Sequence, residues 1–499
     1  MKDTEAPRTP DRAVEAGRGA LFIGAAKAFF MISAFLQKWL LTRIVGSADF
    51  GAFSVVNAAV SVLNNATVQG TLQSVAKFTA EDDRQADAVK AAGLRLQLIV
   101  GAGLGIGFFL LAPVIANFYD HPEFTRWFRL VALIPFFYSL YSVFVGSANG
   151  LRRFRTQAGF DITFSTAKTI LLLGGAAVFG LAGAFGGFVT AAGIILVVAA
   201  LVMHLPARGA TPFPMKRLVY FMATIVLYTL LINLALNYDL LLLRHFASRG
   251  ATGVAANQTA GHYEAVRNFA LLPYQALLVI TFVIFPLVSK STFEQDRSAT
   301  RAYVTQTLRY ALILAMAMAS VLIARPRGLL LTFYKPEYVA GEGALPLLAA
   351  GIVCLAMLGV TGSIINASGQ TLVANAFVAT TVLVGGAGAF LVVPGRPLGP
   401  EMLNASAAAT ALGMAAGFIA ALIYIRRRFD AGPPIASVAR IAAATGIAVL
   451  VGRFFPGTGK ISALLALALS GIVYLVTLIL LREFGPEDRA KFRKILGRR

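Results

Sequence analysis

The sequence predicts an all-α polytopic membrane protein of about 14 transmembrane helices, arranged as two parallel six-helix lobes plus two C-terminal helices. Three observations carry that prediction. Hydrophobic residues make up 58% of the 499 and charged residues only 13%, too apolar a balance for a soluble globular chain of this size. Apolar runs of roughly 18 to 25 residues, each long enough to cross a bilayer, recur along almost the whole chain. The chain also writes nearly one phrase twice: "NFYDHPEF" ends at Phe124 and "TFYKPEY" ends at Tyr338. Upstream of each lie "VAKFTAEDDR" (Val75 to Arg84) and "VSKSTFEQDR" (Val288 to Arg297). Leu94-Arg95 is answered by Leu308-Arg309, and "SANG" (Ser147 to Gly150) loosely by "NASG" (Asn366 to Gly369). Landmarks that keep their order and nearly their spacing mark a duplicated half.

The N-terminal tail, 1–18, is polar, and the apolar stretch after it is too long for a signal-peptide core, so no cleavable signal is expected. Spans follow at 19–45, 51–76, 92–118, 126–148, 158–182 and 184–204, forming a first lobe over 19–204. "GLAGAFGG", from Gly180, has to turn the chain tightly between the fifth and sixth spans. The Pro-rich, basic stretch 205–218, "LPARGATPFPMKRL", reads as the linker between lobes. The second lobe, 219–425, takes spans at 219–244, 263–288, 303–324, 344–367, 371–393 and 403–425. Segment 426–481 adds spans at 437–452 and 462–481 outside the repeat, and 482–499 is a basic tail. The repeat offset covers six spans, an even number, so the second half enters the membrane in the same direction as the first.

Arginine and lysine orient the chain. "RRFR" (Arg152 to Arg155), "RRR" (Arg426 to Arg428) and the tail "RAKFRKILGRR" all fall on one set of alternate connections, which predicts that this side and both termini are cytoplasmic. The net charge of +21 does not point to nucleic acid, because the clusters sit at helix ends where topology explains them. The basic rim is suited to anionic lipid headgroups. Cys354, the one cysteine, excludes an internal disulfide.

Several stretches resemble the polysaccharide-biosynthesis, or oligosaccharide flippase, family of the multidrug/oligosaccharidyl-lipid/polysaccharide exporter superfamily. "SADFGAFSVV" (Ser47 to Val56) is similar to that family's first outer turn and second helix. "GSANGLRRFRTQA" (Gly146 to Ala158) is similar to its fourth-to-fifth hairpin, and "YDLLLLRHF" (Tyr238 to Phe246) with "GHYEAVRNFALLPYQALLVITFVIFPLVSKS" (Gly261 to Ser291) to its seventh and eighth helices. The resemblance runs over residues 15–430. It implies a non-enzymatic, alternating-access transporter of the bacterial plasma membrane. The implied substrate is a polyisoprenyl-diphosphate-linked oligosaccharide moved from the inner to the outer leaflet. Membrane lipids, a polysaccharide polymerase and glycosyltransferases are the implied partners.

Such a substrate needs a hydrated lumen with fixed positive charge and amides. A lysine within a span costs roughly 2.5–3.5 kcal/mol on insertion scales and usually faces a cavity. Lys27 and Lys38 lie eleven residues apart, about 1100° of helix, so they share one face some ~16 Å apart. The second span offers Asn57, Ser61, Asn64, Asn65, Gln69 and Gln73 at near-helical spacing. The fifth offers Asp161, Ser165 and Lys168 on one face. Lys27, Lys38, Asn57, Asn64, Asp161 and Lys168 are therefore the candidate lumen residues. Plainer readings stand beside this one. Lys38 and Arg43 can snorkel to the interface, Asp161 can pair with Arg155, and the amide stripe can join helices by hydrogen bonds. Asp239 matches an acidic position of the family's seventh helix, which makes it a coupling candidate. With Arg244, Glu264 and Arg267 it also reads as a structural ion-pair cluster.

Other motifs dissolve. "GAGLGIG" (Gly101 to Gly107) lacks the spacing of a nucleotide loop, and its glycines at i and i+4 read as close helix packing. The four histidines have no ligand-like spacing, and no nucleophile arrangement or P-loop is present, so neither cofactor nor metal is expected. Two alternatives remain: a small-molecule exporter of the same superfamily, and a polytopic glycosyltransferase or polysaccharide polymerase. The topology is testable directly. In a Cys354→Ser background, single cysteines in 77–91, 149–157, 205–218, 289–302 or 426–436 should resist an impermeant maleimide in intact cells. Outside labelling within 205–218 would overturn the orientation.

Overall fold

The computed structural model describes residues 9–207, 212–249, 252–278, 296–457 and 459–485, with 288, 291, 292 and 488, and side chains from residue 25 onward. Among these residues every regular element is helical. The helices are α1 (Thr9–Glu81), α2 (Ala86–Phe118), α3 (Phe124–Val131), α4 (Leu133–Gly150), α5 (Phe154–Met203), α6 (Met215–Ala235), α7 (Tyr238–Ser248) and α8 (Gly253–Ala270). There follow α9 (Arg297–Ala324), α10 (Pro326–Phe333), α11 (Ala344–Ala367), α12 (Thr371–Val392), α13 (Pro400–Phe429), α14 (Ile435–Arg453) and α15 (Lys460–Leu480). Eleven stretches are long and apolar enough to cross a membrane, and two of these, Ala25–Glu81 and Phe154–Met203, are double length. The eighth expected span, 263–288, runs partly outside the described residues. The protein is an all-α, multi-pass membrane protein of about 14 spans, as its sequence predicts.

Both double-length helices fold back at a single glycine. In α1 the helical path breaks at Gly46 (φ 81°, ψ 177°), and in α5 at Gly180 (φ 59°, ψ −140°). These are backbone conformations that side chains with a Cβ disfavour. After Gly180 the two arms of α5 lie so close that a Cβ on Gly183 would sit 1.9 Å from the Gly175 carbonyl oxygen. One on Gly187 would sit 2.0 Å from the Leu171 oxygen. "GLAGAFGG" is therefore a hairpin whose backbones touch. The "GAGLGIG" glycines divide. A Cβ on Gly101 would meet the Ser139 side chain, and one on Gly105 the Ala132 carbonyl, whereas Gly103 and Gly107 face open space. Only the first pair serves helix packing.

Two expected spans are broken. The fourth is α3 followed by α4, because Pro135 has no N–H to give the carbonyl four residues earlier. The seventh, expected unbroken at 219–244, is α6 followed by α7 with a turn at Leu236 and Asn237. There the Asn237 amide donates to the Asn233 carbonyl (2.8 Å), a local bond that competes with the helical ladder.

The chain packs as two compact units, one of Met1–Asn237 with Ala251–Gln258 and one of Tyr238–Gly250 with Thr259–Arg499. The packing boundary at Asn237 differs from the linker expected at 205–218, of which 208–211 lie outside the described residues. The reason is that α6 lies along the second arm of α1. Asn65 donates to Asn233 across them (2.9 Å), and the Gly70 backbone receives Met222 and Val226. Within the first unit α1 also packs on α4 and α5. Buried Lys90 closes the end of α5 by donating to the Met203 (3.2 Å) and His204 (3.3 Å) carbonyls while pairing with Asp87. A cation satisfies orphan carbonyls and the helix dipole together.

In the second unit α11 packs on α13, and α14 and α15 pack on α9. Tyr474 donates to the Ile313 carbonyl (2.9 Å) and Ser470 to the Ala448 carbonyl (2.8 Å). The segment after α15 returns to these helices. Arg309 Nε meets Glu483 Oε1 at 2.7 Å and its Nη2 meets Asp488 Oδ2 at 3.0 Å, while Arg440 reaches Glu483 Oε2 at 3.3 Å. Tyr310 also donates to Asp488.

The repeated phrase has one structural role in both copies. Each follows a helix end, at Phe118 and at Phe333. Each buries a pair of aromatics: Tyr119 and Phe124 at 5.8 Å between ring centres, Tyr334 and Tyr338 at 5.1 Å.

Two measurements test this packing. Gly183→Val should cost about 1–3 kcal/mol or block folding, since its backbone neighbour cannot yield. Gly186→Ala, with nothing near, should leave the thermal unfolding temperature unchanged. Burial alone would raise the carboxyl pKa values of Glu483 and Asp488, but their arginine, tyrosine and backbone partners prevail and hold both below the ordinary 4.5 and 3.8. Their contribution to stability is complete above those values and is lost as pH falls beneath them. Melting curves through pH 5 to about 3 should therefore steepen for wild type, and less so for Glu483→Gln/Asp488→Asn.

Candidate functional site: a polar cluster within the first unit

The first arms of α1 and α5 run side by side in the same direction, a consequence of Gly46 and Gly180 ending both arms alike. Their polar faces meet in register. Lys27 Nζ lies 2.8 Å from Asp161 Oδ2, with Lys27 half exposed and Asp161 mostly covered. Ten residues on, Gln37 Nε2 donates to Thr169 Oγ1 at 2.8 Å, and Thr169 donates to the Ser165 carbonyl. Ten residues of one helix and eight of the other climb ~15 Å and ~12 Å, so the two stripes stay together over about two turns.

Lys168 is half-buried on this seam. Its Nζ lies 3.8 Å from the Phe188 ring centre, on the return arm of α5. Among the described residues no carboxylate reaches it within 4 Å. A ring face stabilises an ammonium by roughly 0.5–2 kcal/mol, less than an ion pair in the same apolar setting. Lys27 and Lys168 therefore differ. One is paired with Asp161, and the other rests against the Phe188 ring. Tyr138 of α4 stands against Phe164 (5.2 Å) and Phe188 (6.4 Å), and Phe30 stacks on Phe164 (6.4 Å), so an aromatic wall flanks the cations.

The second arm of α1 serves other neighbours. Asn57 is half-buried, and Asn64 is buried with its Oδ1 lacking a hydrogen-bond partner among the described residues. Asn65 takes the interhelical bond to Asn233. The structure thus brings Lys27, Asp161 and Lys168 to one seam, leaves Lys38 half-buried one residue beyond Gln37, and gives Asn65 of the amide stripe to helix joining. Asp239 belongs to the second unit, where Arg267 Nε meets its Oδ2 at 3.2 Å and the Leu240 N–H its Oδ1 at 2.8 Å. Arg267 also binds Glu264, and all three side chains are at most 6% exposed. A carboxylate so held can take up a proton or another cation only by releasing its guanidinium.

Sequence reasoning missed Gln37, Thr169, Tyr138, Phe164 and Phe188. Gln37 and Thr169 each adjoin a singled-out lysine, which was the available signal. Phe188 carries none, since only the Gly180 hairpin returns it to Lys168.

Among solved structures, the chain is similar to the lipid II flippase MurJ in an inward closed conformation, at 14% identity over 93% of this chain and 99% of that one, with a TM-score of 0.75. It is also similar to an inward-facing multidrug resistance MATE transporter of the MOP superfamily, at 15% identity over 82% and 98%, with a TM-score of 0.66. A MOP superfamily transporter from Pyrococcus furiosus matches at 14% identity over 83% and 95%, with a TM-score of 0.63. At such identities the likeness is one of fold. Comparison with curated proteins by sequence finds no match. The sequence profile of the polysaccharide biosynthesis protein family matches residues 40–339, 300 of the 499, which takes in Asp161 and Lys168 of the seam and begins after Lys27 and Lys38. The family resemblance read from the sequence is thereby borne out: the chain belongs to the polysaccharide biosynthesis protein family.

Proposed function

We propose that this protein is an alternating-access flippase that carries a polyisoprenyl-diphosphate-linked oligosaccharide from the inner to the outer leaflet of a bacterial plasma membrane. Both termini are cytoplasmic in this reading. Family membership, a fold shared with a lipid II flippase, and a charged seam within the first unit support it. The observation that carries it is Lys168. A lysine with no carboxylate within 4 Å among the described residues is costly in an apolar slab, and the cost is offset when an anion arrives. A diphosphate supplies that anion, the Tyr138–Phe164–Phe188 wall is suited to sugar faces, and the prenyl chain can stay in lipid. Energy comes from an ion gradient or from the substrate's own gradient.

A small-molecule exporter is the second reading, favoured by the MATE likeness. The longer overlap with the lipid II flippase, which includes more of this chain, favours the lipid-linked substrate. A glycosyltransferase or polymerase would need acidic residues in a sizeable outer loop. The stretches expected there, 245–262 and 325–343, offer Glu337 and Glu342 alone.

Charge should matter more than shape at Lys168. Two unit charges ~6 Å apart at an effective dielectric of about 20 interact by roughly 3 kcal/mol, and about half of that is tenfold in rate. Lys168→Arg should keep most of the flux, Lys168→Ala should lose about tenfold, and Lys168→Glu should abolish it. The measurement is surface glycan against inward-facing lipid-linked saccharide, normalised to folded protein by fluorescence-detected chromatography. Wild-type flux in abundant Lys168→Ala protein would end the proposal. Membranes lacking the protein should still assemble the glycan in vitro, and failure to do so would favour the transferase.

A further inference from the structure

A second cationic feature lies in the other unit, away from the polar seam in sequence and independent of the transport reading. Where α9, the start of α14 and the segment after α15 meet, they form an open pocket of about 390 Å³ lined by Arg309, Arg440, Arg482, Ser437, Glu483 and Asp488 among others. We propose that this pocket binds the phosphate headgroup of an anionic phospholipid.

The charge count favours an anion. Among the described residues three guanidiniums face two carboxylates. Arg309 is spent on both, since its Nε meets Glu483 and its Nη2 meets Asp488. Arg440 is 41% exposed and touches Glu483 through one nitrogen at 3.3 Å. Arg482 is exposed, has left-handed backbone (φ 54°), and has no carboxylate within 4 Å among the described residues. Each guanidinium carries five N–H donors in a planar fork, so Arg440 and Arg482 keep most of theirs for a phosphodiester.

The surroundings point to a lipid as the source of that phosphate. Ile435 and Val438 on the first turn of α14, and Ile479 and Leu480 on the last turn of α15, are 75%, 38%, 55% and 74% exposed. Ile435 and Val438 directly follow the lining residues Pro434 and Ser437, and Ile479 and Leu480 come three and two residues before Arg482, so exposed apolar side chains stand within a turn of the basic pocket. A headgroup in the pocket leaves its acyl chains beside that surface, whereas a free phosphate makes no use of it. Basic pockets between transmembrane helices at the membrane rim take headgroups in this way. The bound anion tethers α14 to the segment after α15, supplementing the carboxylates that already hold it.

The test uses full-length protein purified in an uncharged detergent, with thermal unfolding followed as phosphatidylglycerol, phosphatidylcholine or inorganic phosphate is added. Phosphatidylglycerol should raise the wild-type midpoint by several degrees, while phosphatidylcholine and millimolar inorganic phosphate should not. Arg440→Gln/Arg482→Gln should lose most of that shift, and Arg152→Gln/Arg153→Gln, at another basic cluster, should keep it. Arg482→Gln alone removes no internal ion pair, so it should fold normally and still show a reduced shift. An unchanged shift in Arg482→Gln and in the double variant would overturn the site. Inorganic phosphate acting as well as phosphatidylglycerol would overturn the lipid assignment.

Discussion

In hydrocarbon no water is available to complete a broken hydrogen bond, so every backbone N–H and C=O must find a partner in the chain itself. The rest of this structure depends on that constraint. It makes every described element a helix and limits how a helix can turn. Reversal at Gly46 and Gly180 keeps nearly the whole backbone in helical bonds and spends a single unusual residue at each bend. The two arms of α5 can then approach until their backbones touch at Gly175 and Gly183. Side-chain hydroxyls follow the same economy. Ser54, Thr67, Thr71 and Ser74 each donate to the carbonyl four residues earlier, so the polar second arm of α1 exposes fewer unmet groups than its sequence suggests.

Charges obey a related rule: inside the slab they are paired or they serve something. Lys27 with Asp161, and Asp239 with Arg267 and Glu264, are both closed sets. Removing one member of such a set costs more than the set contributes, because the remaining charge is stranded. These groups read as architecture. Lys168 is the departure, half-buried against an aromatic face with no carboxylate within 4 Å among the described residues. At the rim, Arg440 and Arg482 depart in a milder way, since water reaches them. Function is sought where the pairing is left open.

A phrase such as "NFYDHPEF" and its echo carry the same packing role in two places. A helix that ends at Phe118 or Phe333 needs a compact, buried turn before the next span, and a pair of aromatics a few residues apart fills that corner. The echo is a packing solution used twice. The two units have otherwise diverged. The cationic seam and the glycine hairpin belong to the first, and the closed acidic–arginine network to the second.

By itself the sequence determined the all-helical membrane architecture, nearly all the spans, and the family. Length and hydropathy of a segment decide whether it can cross a bilayer, and both are local properties. It also placed Lys27 and Lys38 on one face and Asp161 and Lys168 on another, because helical periodicity is local too. Only the tertiary structure decided which face meets which. Spacing could not say that Lys27 would be neutralised by Asp161 while Lys168 would not, since that depends on α1 and α5 running side by side. Nor could it assign α6 to the first unit, because the Asn65–Asn233 bond joins residues 168 positions apart. It could not bring Arg309, Arg440 and Glu483 to one rim either. Polar residues are ambiguous in sequence for this reason: the same side chain is a helix clasp, an ion-pair partner or a binding group according to what another segment places opposite it.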